Sequence, residues 1–346
     1  MFWFKSTNKK KKIIKNQNVE KKNKSVFVKV PAKLMISGEH SVIYNHKAVV
    51  CAVDLFLNIK IKRIFAPKIV ITDGRTRIKI LLKDLSMEHH HDNKLIEIIR
   101  KFFDRIKMPI SGMEMIIDNK IPIGCGLGSS SALIVGIIFG INELFGFKKN
   151  RNELISIAKD IEKIFHGNSS GADIKTVVIG GVIYVNQGTI EKIPHQIDEI
   201  WIINTGRPSF STKNVVSEIA DRFPSSDATW EEMGKITQDI SKIMSGFGKV
   251  GMKIAHNECC LEKIGVVLPV VKKFLNDIKQ HDIYGKICGA GTIAGREKYG
   301  GNGIIGIFQV LNKEQKRYLC SLCKTNRFLI RRVFVCNSGI MMTAKQ

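Results

Sequence analysis

The sequence predicts a mixed α+β chain in two domains, and three observations predict it. Strand-like segments crowd the first third, helical periodicity takes over from residue 129, and strands return in each half after its helices. A chain of 346 residues also exceeds the size of one comfortable hydrophobic core, which favours two domains sharing an interface. With 44% apolar and 25% charged residues, the balance is that of a globular protein rather than a disordered one.

Alternation from Ser25 to Val30 reads as the first strand, and further β-rich segments fall at 58–64, 67–72, 77–82 and 112–118. From Ser129 to Phe145 the apolar residues recur at helical spacing, and Val135, Ile138 and Phe139 make the other faces apolar too. A helix greasy all round must be buried, so this one belongs between a sheet and other helices. A second helix is read at 151–165, with Gly167 beyond its end. Strands are expected at 177–185 and 199–205, helices near 213–222, 228–247 and 267–280, and strands again at 303–311 and 328–336. The two domains join near 187–198, and the spans expected for them are 25–190 and 191–346.

The formal charge is +24, which raises polyanions as partners. Residues 1–24 alone hold nine Lys against one Glu, and the remaining +16 is dispersed. This segment reads as a basic, solvated and disordered tail. No aromatic-basic RNA motif accompanies the charge, so no specific nucleic-acid partner is expected. The opening Met1-Phe2-Trp3-Phe4 is too short for the apolar region of a signal peptide, and the longest apolar run, Ala132 to Ile141, is too short to span a bilayer. The eight Cys are scattered as reduced cytoplasmic thiols would be. Cys320 and Cys323 lack a second pair at zinc-ligand spacing, and the His89-His90-His91 run reads as a polar surface loop.

The strongest local signal is Ile121-Pro122-Ile123-Gly124-Cys125-Gly126-Leu127-Gly128-Ser129-Ser130-Ser131-Ala132, a glycine-rich loop that feeds straight into the buried helix. Glycines let backbone N–H groups approach an anion, and the helix N-terminus adds partial positive charge, so the loop predicts a phosphate cradle. Ser129, Ser130 and Ser131 can cap the helix, or donate to phosphate and ligate Mg²⁺. The loop is neither a P-loop, since no Lys follows the last glycine, nor a Rossmann fingerprint.

This stretch resembles, from Pro122 to Ala132, the second signature of the GHMP kinases. Val30-Pro31-Ala32-Lys33 through Gly38-Glu39-His40-Ser41-Val42 resembles the first, departing only at Ala32, where the family has Gly. Lys286-Ile287-Cys288-Gly289-Ala290-Gly291 is similar to the start of the third, although Thr292 to Tyr299 then intervene before Gly300-Gly301-Asn302-Gly303. Glu162 with His166-Gly167-Asn168-Ser169-Ser170-Gly171-Ala172-Asp173 looks most like the mevalonate kinase branch, with Ser169 in place of a Pro. Asn204-Thr205-Gly206-Arg207-Pro208 and Ser211-Thr212-Lys213 also resemble that branch, as does the helical stretch from Asn257 to Val266. The resemblance spans about residues 26 to 310 in order.

The resemblance implies an N-terminal domain like the ribosomal protein S5 domain 2-like fold and a ferredoxin-like C-terminal domain. It implies ATP and Mg²⁺ as cofactors, mevalonate as the small-molecule substrate and a cytoplasmic enzyme, with a homodimer left open. Gly124, Gly126, Leu127, Gly128, Ser129, Ser130 and Ser131 would bind the ATP phosphates, and Ser130 with Glu162 would hold Mg²⁺. Asp173 would stand beside the substrate hydroxyl as general base. Lys33 would stabilise the oxygen or the transferring phosphoryl group, and either Asp173 or Lys33 would lead the proton transfer. Glu39 and His40 would orient the substrate, Thr212 would approach it from the second domain, and Gly289, Ala290 and Gly291 would form the third glycine loop. Phosphomevalonate, a sugar or homoserine are rival acceptors, and a catalytically silent GHMP-fold binding protein is a rival of another class.

Overall fold

A computed structural model describes residues 24–74, 76–84, 93–166, 170–246, 248–295 and 300–345. The basic segment up to residue 23, the three-His run, and Gly167, Asn168 and Ser169 lie outside the described residues.

Two sheets organise the described residues. The larger has eight strands in the order β12-β1-β2-β5-β3-β4, with β6 on the first half of β2 and β7 on β6. Its strands are β1 (Ser25–Ser37), β2 (Ala48–Arg63), β3 (Lys68–Asp73), β4 (Thr76–Leu81), β5 (Met113–Asn119), β6 (Val182–Asn186), β7 (Thr189–Ile193) and β12 (Met341–Lys345). All pairs are antiparallel except β3 with β5. The smaller has β8 (Glu199–Asn204), β9 (Gly285–Cys288), β10 (Ile304–Ile307) and β11 (Leu329–Phe334) in the order β11-β8-β10-β9. Numbered within its own domain, that order is 4-1-3-2. With helices after the first and third strands it is the ferredoxin-like plan. β12 then returns to β1, so the end of the segment read as the second domain completes the first sheet.

The helices are α1 (Lys94–Ile106), α2 (Ser129–Phe145), α3 (Arg151–His166), α4 (Ala172–Ile179), α5 (Thr212–Arg222), α6 (Ala228–Ser245), α7 (Gly251–Lys263), α8 (Pro269–Lys279) and α9 (Lys313–Thr325). As its all-round apolar surface requires, α2 is buried, packing on β1 and β2 with α1, α3 and α4 around it. Its burial anchors the glycine loop to the rigid middle of the sheet.

The strand expected at 177–185 is in part a helix. Thr176 to Ile179 form a β-branched run that mimics a buried strand, yet Gly171 in the left-handed region opens α4 and Gly180 closes it, and only Val182–Asn186 is extended. Two further helices carry signals that the expected element order omits: Asn93 caps α1, and Asn312 with Gln315 forms a capping box on α9. The first strand runs on past Val30, through two register shifts, to Ser37. That extension carries Lys33 to the glycine loop.

Candidate active site

The long first strand delivers Lys33. Its backbone N–H donates to Leu127 O at 3.1 Å, and its side chain runs past Gly128 to an ion pair with Asp173, Nζ to Oδ2 3.0 Å. Gly128 has φ +68, and a Cβ there would lie 2.5 Å from Lys33 Cγ, so the residue must be glycine for both conformation and space. Asp173 stands in the first turn of α4, where the helix dipole favours a carboxylate. The Lys33 side chain is only 7% exposed and that of Asp173 is 31% exposed, so the buried ammonium backs a carboxylate open to solvent. Burial works to lower the Lys33 pKa, but the charge and hydrogen bond of Asp173, helped by Glu39, leave it raised above the ordinary lysine value.

Gly128, rather than a serine, is the N-cap of α2, and no side chain caps that terminus. Ser129 accepts instead from the Asn119 amide, Nδ2 to Oγ 3.1 Å. The first-turn N–H groups of a buried 17-residue helix are thus left without a side-chain cap, at the mouth of the glycine loop, which is how helices receive phosphate. Arg207 lies along the same loop: a Cβ on Gly124 would come within 2.8 Å of its Nε. The loop's far side is closed by the third signature, since a Cβ on Gly289 would sit 3.0 Å from Gly126 Cα, and Ile304 N donates to Cys125 O.

Glu162 projects from α3 into the same region and is 3% exposed. The serine that donates to its Oε1 is Ser131, also buried, while Ser130 occupies the neighbouring first-turn position and is half-buried. Sequence pairing of Ser130 with Glu162 therefore meets a structure in which the adjacent hydroxyl holds the carboxylate. One buried carboxylate among hydroxyls beside an uncapped helix terminus is a donor set that suits a hard cation such as Mg²⁺. Among the described residues no group of three or more His, Cys, Asp or Glu forms a metal cage.

Glu39 and His40 are buried, at 2% and 5% exposure, where the first and third signatures meet. Glu39 Oε1 accepts from Lys286 Nζ in a pair wholly shut off from solvent. His40, at φ 59, meets Ala290 O through Nε2 at 2.9 Å; because a carbonyl only accepts, Nε2 carries the proton and Nδ1 is an acceptor. Burial, with Lys286 adding to it, lowers the imidazole pKa to about 4 against the pull of the Ala290 bond, so the ring is neutral. Glu39 Oε2 and His40 Nδ1 are both buried without a protein partner among the described residues.

Thr212 begins α5, exposed, with Ser211 as N-cap, rather than inside the buried cluster. Gly289 and Ala290 meet the first two signatures, and Gly291 packs on Val266. Beyond them the glycines take another course. Gly301 and Gly303 donate to Arg207 O and Gly206 O, and Asn302 bonds Leu268 N and Val266 O, so the glycines after the insertion clasp the segment after β8 to the turn before α8. Arg207, Lys286 and Glu258 are the members that motif reading gave no role, and Ser131, expected at the phosphates, is the serine that meets Glu162. Lys286 stood at the edge of the third signature, and only a contact across the chain reveals its use.

The family model described as GHMP kinases N terminal domain matches residues 93–181. The mevalonate kinase of Archaeoglobus fulgidus is 27% identical over 288 residues, covering 82% of this chain and 93% of its own length. The crystal structure of the Methanococcus jannaschii mevalonate kinase superposes with a TM-score of 0.76 at 21% identity, covering 89% of this chain and 98% of that one. That of the L. major mevalonate kinase, solved in complex with R-mevalonate, gives 0.71 at 18% identity, covering 90% and 96%. The strand plan, the uncapped glycine loop and these likenesses agree in one conclusion: residues 93–181 match the GHMP kinases N terminal domain, and the chain shares the fold of the mevalonate kinases it resembles.

Proposed function

We propose that the protein transfers the γ-phosphate of ATP to the 5-hydroxyl of mevalonate. The observation that carries this reading is the Lys33–Asp173 ion pair, 3.0 Å long, lying beside the uncapped N-terminus of α2 with its carboxylate open to solvent. The terminus and Gly124, Gly126, Leu127, Gly128, Ser129, Ser130 and Ser131 cradle the nucleotide phosphates, and Arg207 adds positive charge along the same loop. Asp173 Oδ1 or Oδ2 accepts the hydroxyl proton as the new O–P bond forms and the bond to the bridging β,γ-oxygen breaks, leaving ADP. Lys33, held protonated by its raised pKa, stays a cation through that step and steadies the entering oxygen and the phosphoryl charge. That assigns the proton to Asp173 rather than to Lys33.

Mg²⁺, when bound, neutralises phosphate charge, and Ser130 with Glu162 would hold it. The acceptor assignment is supported by the likeness to mevalonate kinases across most of the chain and by the two unpartnered acceptors, Glu39 Oε2 and His40 Nδ1, which can take hydrogen bonds from substrate hydroxyls. Turnover in a coupled ADP-release assay, run with mevalonate beside phosphomevalonate, galactose and homoserine, tests the reading. Preference for mevalonate is expected, and preference for another of the four defeats it.

A further inference from the structure

Lys286 is the most deeply buried cation among the described residues, and it belongs to neither the nucleotide loop nor the Lys33–Asp173 pair. It sits on β9, the edge strand of the smaller sheet, where the backbone of Ile287 faces away from β10. Lys286 Nζ donates to Ile287 O at 2.7 Å and also to Glu39 Oε1, on the first signature. Glu258, on α7, accepts from Ile287 N at 2.9 Å through Oε2, while its Oε1 is buried without a partner among the described residues. One residue of edge strand is thus clasped on its donor by Glu258 and on its acceptor by Lys286, and Lys286 also holds Glu39.

The charges decide what this arrangement does. Two carboxylates, Glu39 and Glu258, share one ammonium that solvent does not reach, so both cannot be ionised without leaving a buried negative charge unbalanced. Burial, with Glu262 and Glu39 adding to it, raises the Glu258 pKa to about 8 against the pull of Lys286 and the Ile287 N–H. Near neutrality Glu258 is therefore a neutral acid, and the whole ammonium is committed to Glu39. Its grip on Oε1 leaves Oε2 buried without a partner among the described residues, as His40 Nδ1 also is.

Resting on the mevalonate reading above, we infer that Lys286 is a positioning residue that aims Glu39 at the acceptor, and that Glu258 sets how firmly Lys286 holds it. Ionisation of Glu258 gives the ammonium a second anion and slackens that hold. The titratable groups facing Glu258 are Lys286, Glu39, Glu262 and the Cys288 thiol, with Glu262 engaged by Lys272 at 2.7 Å and Cys288 pushed up to about 12 by burial, and the neighbouring Asn257 is buried beside it.

The experiment measures steady-state constants for mevalonate and ATP separately in the wild type, Lys286→Met, Glu39→Gln and the double variant. The expected result is a rise of tenfold or more in KM for the acceptor with KM for ATP within about twofold, and a double variant no worse than the poorer single one. A proportional rise in both constants, or additive effects, overturns the proposal. Should Lys286→Met fail to fold, Glu258→Gln decides, because it keeps an acceptor for Ile287 N–H and cannot ionise. The wild-type acceptor kcat/KM should fall as pH rises through about 8 and the variant should lack that fall; an unchanged alkaline limb overturns the proposal. Turnover of a different acceptor sinks the mevalonate reading alone, since the same constants are then read with that acceptor. A wild type silent on all four acceptors sinks both.

Discussion

Lys33 and Asp173, 140 positions apart in sequence, meet at 3.0 Å because a strand that outruns its expected length passes the first turn of a helix whose last residues were read from sequence as a strand. The ammonium is buried and the carboxylate is the exposed partner, so the pair presents an acceptor of protons with a cation fixed behind it.

Asp173→Asn removes the proton acceptor while keeping size and a hydrogen-bonding group. Turnover should fall by about 10²–10⁴-fold, with nucleotide affinity, read by a fluorescent ATP analogue, nearly unchanged. A variant retaining more than a tenth of wild-type turnover would remove Asp173 from the base role.

Gly128→Ala places a Cβ 2.5 Å from Lys33 Cγ on a backbone at φ +68. The conformational strain alone costs about 1–2 kcal/mol, and displacement of Lys33 should lower kcat by roughly 10²-fold. Chemical denaturation and kinetics together check this. A variant stable but inactive and one unstable but active are both incompatible with the joint role given to Gly128.

Glu162→Gln keeps the contact with Ser131 and removes the negative charge. The Mg²⁺ concentration for half-maximal turnover should rise at least about tenfold, and chelation should abolish turnover in the wild type. An unaltered metal requirement would take Glu162 out of the metal site.

His40 titrates at about 4 in the folded chain and near its ordinary 6.5 when unfolded. Between those values the unfolded state binds a proton that the folded state refuses, so stability is full above pH 6.5 and declines as pH falls towards 4. The loss amounts to about 3 kcal/mol at most. Denaturant titrations from pH 7 to 4 should show this decline in the wild type and a shallower one in His40→Asn; parallel curves would contradict the burial assigned to the ring.

The chemistry was more legible in the sequence than the architecture. Glycines at 124, 126 and 128 announce a phosphate loop because so few backbones tolerate that conformation, and the apolar all-round helix after them can only be buried. α4 was not legible, because Val177 and Val178 satisfy strand and helix alike and the packing of α2 on α4 decides between them. Which serine meets Glu162 also could not be read, since Ser130 and Ser131 differ by one position and only the rotation of α2 against α3 selects between them. Lys286 was the hardest to foresee: its partner lies 247 residues away, and nothing local marks the pairing.

The pairing of Ser25 with Lys345 means that β1 lacks its outer neighbour until residue 345 has left the ribosome. A nascent chain emerging in order would hold the first-made part of this sheet with a bare, hydrogen-bond-hungry margin until β12 is made. Removal of Met341–Lys345 would therefore be felt as a defect in the half of the molecule made first.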